Sequence, residues 1–341
     1  MRQIRSAALA AALLMVAQSA AAEVRLMANC FAPPTAIHCA QIMKGWADEV
    51  ERVTEGRVQV NIMAKSMAPP PDQLISLRNG VFDVAAQFNG FIAAEVVGPA
   101  VSLQPFTGSL DARANAVALW RTYEKFFTGQ DEYEGVHLLG FYASPGADFY
   151  SMTDAPIQSQ EDLRSRRMWG LPGVTSGILK DAGSATVSGP AAQMSEIIQR
   201  GVVDGFVGIP ASDLFDFGIA TYAKAVTRTS AKIFAPTFSF MISDAAWAKI
   251  PTADQELIAS VSGEAFADRA GAAWAASEID AIEKLESMIG TADASPEFEA
   301  ELDALAKPHA EAWIAAATAK GFDAAAALEF YKATVKELET H

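Results

Sequence analysis

Residues 161–209 constrain the fold more than any other stretch. They read EDLRSRRMWGLPGVTSGILKDAGSATVSGPAAQMSEIIQRGVVDGFVGI. Residues 167–171 form a short apolar run of strand character, stopped by Gly170, Pro172 and Gly173. Residues 174–181 take helical spacing, with Val174, Ile178 and Leu179 on one face. Thr186 and Val187 return as a strand, and residues 193–200 are a second helix with Met194, Ile197 and Ile198 inward. Gly201 closes that helix, and residues 202–209 leave as a third strand. This alternation requires a parallel sheet with crossover helices. Ligands of open parallel sheets sit beyond the carboxyl ends of the strands. Those ends are Trp169 and Gly208, which are read as pocket wall.

The chain has 341 residues, room for about two domains. Residues 1–22 read as a secretory leader: Arg2 and Arg5, an apolar block from Ala7 to Val16, then three small residues before Glu23. The apolar block is short for a membrane span, and no later run is long enough to be one. The net charge is −15, and losing Arg2 and Arg5 deepens it further. Such a surface repels nucleic acid and anionic lipid, so no nucleic-acid partner is expected; solubility, a basic docking partner and solvated charge with no partner all fit. Cys30 and Cys39 are the two cysteines; in an oxidising compartment a disulfide between them and a pair of buried thiols both fit. The four histidines (38, 137, 309 and 341) lack metal-ligand spacing, so no metal is expected.

Along the chain, a strand from Val24 to Asn29 is followed by a helix over 36–54, with Ile42, Trp46, Val50 and Val53 inward. A strand over 58–63, a proline bend at 69–71, a helix over 72–79 and a strand over 81–88 come next. Here the chain repeats itself: RNGVFD at 78–83 echoes QRGVVD at 199–204. Each follows an amphipathic helix and precedes a strand aimed at a pocket edge, as two lobes built on the same sheet logic require. Crossings between the lobes are expected near Gly146 and Pro236. After Pro251 the chain turns helical. Thr252 and Gln255 suggest a capping box. Some 38 residues from there would span roughly 57 Å as one helix, with a break near Gly271 as the alternative. Helices over 296–320 and 323–338 finish the chain.

No catalytic constellation stands out. A nucleophile elbow, a dinucleotide fingerprint and a phosphate loop are all lacking, and the carboxylate pairs 131/132 and 161/162 sit in polar contexts. A binding protein rather than an enzyme is expected. A periplasmic hydrolase or lyase and a solute-sensing partner protein are the competing readings.

The leader, the long helix and the pattern EDLRSRRMW…GVVDG resemble the solute-binding proteins of tripartite ATP-independent periplasmic (TRAP) transporters, the DctP-type receptors. The resemblance extends over the mature chain and is densest at 73–88 and 155–205. It implies an α/β type II periplasmic binding fold: two lobes with mainly parallel sheets, hinge strands and a long bracing helix. The expected division is 1–22 leader, 23–146 first lobe, 147–236 second lobe, 237–275 return with the long helix, and 276–341 C-terminal helices on both lobes. It further implies a periplasmic monomer that closes over a small organic solute and hands it to membrane permease subunits, without a cofactor.

Most members bind organic acids through an arginine in the strand that here spans 167–171. The matching position is Trp169. A second arginine found in many members falls on Asp148, an acidic position at the end of the first lobe's strand falls on Phe88, and a frequent asparagine falls on Gly208 or Ile209. Asn29 and Asn89 sit at strand ends where either a turn or a ligand could use their amides. Rings and a carboxylate in place of guanidinium favour a cationic or zwitterionic solute such as a betaine. An aromatic or uncharged solute stacked on Trp169 is the rival. An aromatic monocarboxylate also fits if Arg167, Asn89 or main-chain N–H groups reach its acid.

Overall fold

The computed structural model describes residues 24–339; the leader over 1–22 lies outside them. In chain order the strands are β1 (Val24–Asn29), β2 (Val58–Ile62), β3 (Val84–Phe88), β4 (Val136–Ala143), β5 (Phe149–Ser151), β6 (Arg167–Gly170), β7 (Ala185–Ser188), β8 (Gly205–Val207), β9 (Ala225–Arg228), β10 (Thr237–Ser243) and β11 (Gly290–Asp293). They form two sheets, ordered β2-β1-β3-β10-β4 and β11-β9-β5-β8-β6-β7. The first is parallel across β2, β1 and β3, with β10 antiparallel to both β3 and β4. The second, taken from β7, repeats that plan: β7, β6 and β8 are parallel, and β5 is antiparallel to both β8 and β9. In each sheet the antiparallel strand is the one by which the chain arrives from the other lobe.

The repeated sequence motif has a structural meaning. Gly80 and Gly201 end their helices at φ +72° and +64°, the left-handed conformation that glycine adopts without steric cost. Three residues later the aspartates do the same work. Asp83 Oδ2 accepts from Met27 N–H (2.8 Å) on β1, and Asp204 Oδ2 accepts from Arg167 N–H (3.1 Å) on β6. The return bonds match: Asp83 N–H to Met27 O at 2.8 Å and Asp204 N–H to Arg167 O at 2.7 Å. Each aspartate pins the start of its strand to the neighbouring strand and sets the register.

The cores follow from burial on both sheet faces. All five residues of β3 are buried, as in a strand covered by helices on either side. The Lys44–Val53 helix turns Trp46, Ala47 and Val50 inward at helical spacing. A single turn of π-helix, His38–Met43, runs into that helix. The Cys30–Cys39 disulfide is formed, with Cα atoms 5.7 Å apart.

The two crossings, β4 to β5 and β9 to β10, lie side by side. Ser144 N–H donates to Pro236 O and Ala147 N–H to Phe234 O, each at 2.8 Å. The helical segment after Pro251 departs from both expectations. It breaks at Val261–Ser262, and Gly263 (φ +58°) starts a second helix, Gly263–Glu286. Its 24 residues span roughly 36 Å. Gly271 sits inside it: a Cβ there would lie 2.4 Å from Arg113 Cα, so this glycine permits close packing on the Ala112–Phe126 helix of the first lobe. One turn further, Trp274 Nε1 donates to Ser212 Oγ (3.0 Å) of the second lobe. The helix therefore braces both lobes. The capping box does not form; Pro251 precedes the helix without a side-chain cap, and Gln255 Nε2 donates to Trp247 O at 2.8 Å instead. The Pro296–Ala319 helix also touches both lobes, through His309 Nε2 to Asp181 Oδ2 (2.8 Å) and Trp313 Nε1 to Val97 O (3.0 Å).

Candidate functional site

A cavity lies between the lobes where the carboxyl ends of β1, β3, β6 and β8 converge, enclosing about 450 Å³ of atom-free space, part of it open to solvent. Phe31, His38, Pro70, Phe88 and Phe91 line it from the first lobe. Leu171, Pro190, Ala191, Ala192, Ile209, Asp213 and Phe217 line it from the second, and Pro236 and Phe238 from the hinge. Phe31, Leu171 and Ile209 each follow a strand by one or two residues, while Phe88 ends its own. The strand ends therefore aim these side chains at one point.

The wall is a cluster of rings centred on Phe238. Phe31 stacks on it at 5.7 Å and Tyr142 at 4.7 Å, with interplanar angles of 13° and 7°. The edge of His38 meets it at 5.0 Å, and Phe88 leans on it at 5.7 Å. Such a surface offers a large apolar contact and ring faces for an aromatic guest.

His38 and Asp213 are the ionisable groups of this lining. His38 Nδ1 lies 3.2 Å from the Tyr142 hydroxyl. Its Nε2 is 3.7 Å from Asp213 Oδ1, beyond hydrogen-bond distance. Asp213 is buried, and its Oδ1 has no hydrogen-bond partner. Behind it, Glu278 of the bracing helix accepts from Ala211 N–H (2.8 Å) and Ser212 N–H (2.9 Å) at the start of the Ala211–Asp216 helix. Burial pushes the Glu278 carboxyl up to about 7 despite those donors. Asp216 Oδ2 accepts from Ile37 N–H (2.9 Å) of the opposite lobe; burial raises its pKa as well.

Of the residues singled out from sequence, the cavity brings together Phe88 and Ile209. Gly208, at φ +102°, adjoins it: a Cβ there would come 3.2 Å from Thr175 and 3.6 Å from Leu171. Trp169 is fully buried in β6, in register with Val187 on β7 and Phe206 on β8, and its Nε1–H has no partner. It shares a strand face with Leu171, two residues on, which does line the cavity. Asn29 and Asn89 are committed to scaffold. Asn29 donates to Gln73 Oε1 (2.7 Å) and accepts from Met67 N–H (2.8 Å), which holds the 69–71 bend carrying Pro70. Asn89 donates to Thr237 Oγ1 (3.0 Å) and accepts from Ser239 Oγ (2.5 Å), joining β3 to the hinge strand.

Asp148 belongs to a different cavity, with Tyr150, Arg228, Lys232 and Glu286. Lys232 Nζ lies 2.6 Å from its Oδ1, and Thr229 N–H donates to the same oxygen at 3.2 Å. Burial raises the Asp148 pKa and the Lys232 charge opposes that rise. A carboxylate so paired offers a solute no free charge, which removes the ground that Asp148 gave for a cationic guest. Arg167 points to solvent and is paired with Asp204 at 2.6 Å. Sequence reasoning missed Phe31, His38, Asp213 and Phe238. Phe31 and His38 lie just inside the Cys30–Cys39 loop, where their order along the chain gives no sign that they face the hinge strand. The aromatic alternation of β10 was visible but reads equally as core.

Two lobes joined by paired crossing strands, with an apolar cavity at their facing strand ends, define a solute receptor of the two-lobed α/β class. The family described as bacterial extracellular solute-binding protein, family 7 (DctP), matches residues 29–316, and the chain belongs to it. It is a TRAP-type receptor for a small organic solute. It is 35% identical over 338 residues to the outer membrane transporter protein TsaT of Comamonas testosteroni, covering 97% of each chain. A TRAP periplasmic solute-binding protein from Bordetella bronchiseptica, solved with bound (R)- and (S)-mandelate, matches with a TM-score of 0.87 and 28% identity over 92% of this chain and 99% of that one. A TRAP solute-binding protein from Rhodoferax ferrireducens, solved with copurified benzoate, shares the fold at a TM-score of 0.83 and 20% identity, covering 93% and 99%. Proteins of this family are periplasmic binding receptors. Among the described residues no helix is long and apolar enough to cross a membrane, and no group of three or more His, Cys, Asp or Glu is placed to hold a metal.

Proposed function

We propose that the chain, exported and freed of residues 1–22, captures a monocyclic aromatic carboxylic acid in the periplasm and delivers it, without turnover, to the membrane subunits of a TRAP transporter. The observation that carries this reading is the ring-lined cavity between the lobes, centred on Phe238. The mandelate held by the Bordetella relative is a solute of this class. Burying one aromatic ring against such a wall contributes about 1.5–3 kcal/mol.

The candidate donors for the acid group are neutral and stand behind the Leu171 wall of the cavity, not in its lining. Trp169 Nε1–H and Thr175 Oγ1–H are both buried and unpartnered. Thr175 stands in the first turn of the Val174–Asp181 helix, which starts without a side-chain cap, though Ser176 N–H donates to Leu171 O at 3.1 Å. Lobe closure by flexing at the two crossings, limited by the Gly263–Glu286 brace, brings the first-lobe rings onto the guest. A quaternary amine or betaine would need Asp213 as its counter-charge.

Thermal unfolding of the purified mature protein with benzoate, phenylacetate, mandelate, succinate, betaine and benzylamine tests this. An aromatic acid at 100 times its Kd stabilises the folded chain by about 2.7 kcal/mol. Stabilisation by succinate, betaine or benzylamine with none from the aromatic acids refutes the reading.

A further inference from the structure

One polar atom of the cavity wall has nothing to bind. Asp213 lines the cavity and is 4% exposed, yet its Oδ1 accepts no hydrogen bond. Leaving a buried acceptor unsatisfied is costly, more so for a charged group. The neighbouring donors are committed elsewhere. Ala211 and Ser212 give their N–H groups to Glu278, and Ile37 gives its N–H to Asp216. Trp274 Nε1–H goes to Ser212 Oγ. His38 is turned toward Tyr142 by one ring nitrogen and leaves the other 3.7 Å from Asp213 Oδ1, beyond hydrogen-bond distance. The rings of Phe31, Phe88 and Phe238 supply no conventional donor.

From this we infer that the solute itself supplies the missing donor, and that Asp213 selects aromatic acids bearing a hydroxyl group over their unsubstituted parents. This inference rests on the aromatic-acid reading above and narrows it. The bond required is O–H to carboxylate oxygen, the short charge-assisted kind at roughly 2.5–2.7 Å. A ring lying against Phe238 has an edge within the same cavity as Asp213 of the second-lobe wall. An acid without the hydroxyl must strip Asp213 of any water and return nothing. Such asymmetry is what makes a hydrogen-bonding site discriminate strongly.

Calorimetric titration of two matched pairs, benzoate with 3-hydroxybenzoate and phenylacetate with mandelate, tests it. For at least one pair the wild-type protein should bind the hydroxylated acid about 10- to 100-fold more tightly. Asp213→Ala should reduce that ratio to within about threefold, the hydroxylated acid losing affinity and the parent acid losing none, and Asp213→Asn, which keeps a neutral acceptor, should fall between. Circular dichroism and thermal unfolding establish that each variant folds; the wild-type ratio needs no variant. Equal wild-type affinity within both pairs overturns the inference and leaves the aromatic-acid reading standing. An equal loss for both members of a pair in Asp213→Ala also overturns it. Binding of benzylamine with none of either acid defeats both readings.

Discussion

Glu278 makes the stability of the unliganded receptor depend on pH in a direction opposite to that of most paired carboxylates. Its folded-state pKa is about 7 against 4.5 for a free side chain, because burial outweighs the two N–H groups it accepts. Between those values the folded chain holds a proton that the unfolded chain releases. Stability therefore falls as pH rises from about 4.5 to about 7, and the full contribution is present only below that window. At 1.36 kcal/mol per unit, the gap amounts to roughly 3 kcal/mol. Glu278→Gln cannot titrate. It retains one acceptor for the Ala211 and Ser212 N–H groups and loses the other, a cost of about 1 kcal/mol at every pH. The signature is thus a slope rather than a level. Urea unfolding of both proteins from pH 4 to pH 8 should show the variant gaining about 3 kcal/mol on the wild type across the series. Asp148 and Asp216, whose pKa values burial also raises, are common to both proteins and cancel in the difference. Parallel stability curves would show that Glu278 stays ionised when buried and that the argument from desolvation is wrong.

Other residues yield sharper contrasts between site and scaffold. Asp148→Asn leaves Lys232 buried without its counter-charge and should lower unfolding free energy by about 3–5 kcal/mol while leaving aromatic-acid affinity within a few-fold. Arg167→Ala removes an exposed pair and should change stability by under about 1 kcal/mol and solute affinity hardly at all; a tenfold loss of affinity would restore Arg167 as an acid anchor. Gly271→Ala forces a Cβ to within 2.4 Å of the Arg113 backbone, and thermal melts should show a loss of about 1–3 kcal/mol. Reducing the Cys30–Cys39 bond, which closes a short loop beside Phe31 and His38, should cost roughly 2–3 kcal/mol by chemical denaturation.

The frame was legible because it is written in local rules. The alternation of short apolar runs with amphipathic helices fixes parallel pairing, and the doubled Gly-Val-x-Asp motif marks the same strand start in both sheets. The Cys30–Cys39 disulfide and the bracing helix were within reach of the same reasoning. The length of that helix was not, since its break depends on Gly263 adopting positive φ beneath the Trp120 ring, 2.9 Å from where a Cβ would stand. That contact is between segments far apart in sequence, and no periodicity announces it.

The site was harder for the same reason, carried further. Family position directs attention to Trp169 and Asp148, yet what decides their role is who else is present. Lys232, 84 residues away, takes the Asp148 charge. Conversely, Asp213 sits in a helical first turn, where an acid ordinarily faces water and complements the dipole. It becomes informative only because Glu278 arrives from the bracing helix to take the N–H groups of Ala211 and Ser212, leaving Asp213 beside the rings with an oxygen to spare. A carboxylate's meaning in this fold is thus set by competition for donors among three elements. The specificity of the receptor is then a property of that competition, which is why replacing Glu278 should also disturb solute selection. In Glu278→Gln one helix-start N–H is released toward Asp213, and the preference for a hydroxylated acid should shrink even though residue 278 does not line the cavity. An undiminished preference in that variant, measured with the same matched acids, would separate the two carboxylates and sink the coupling.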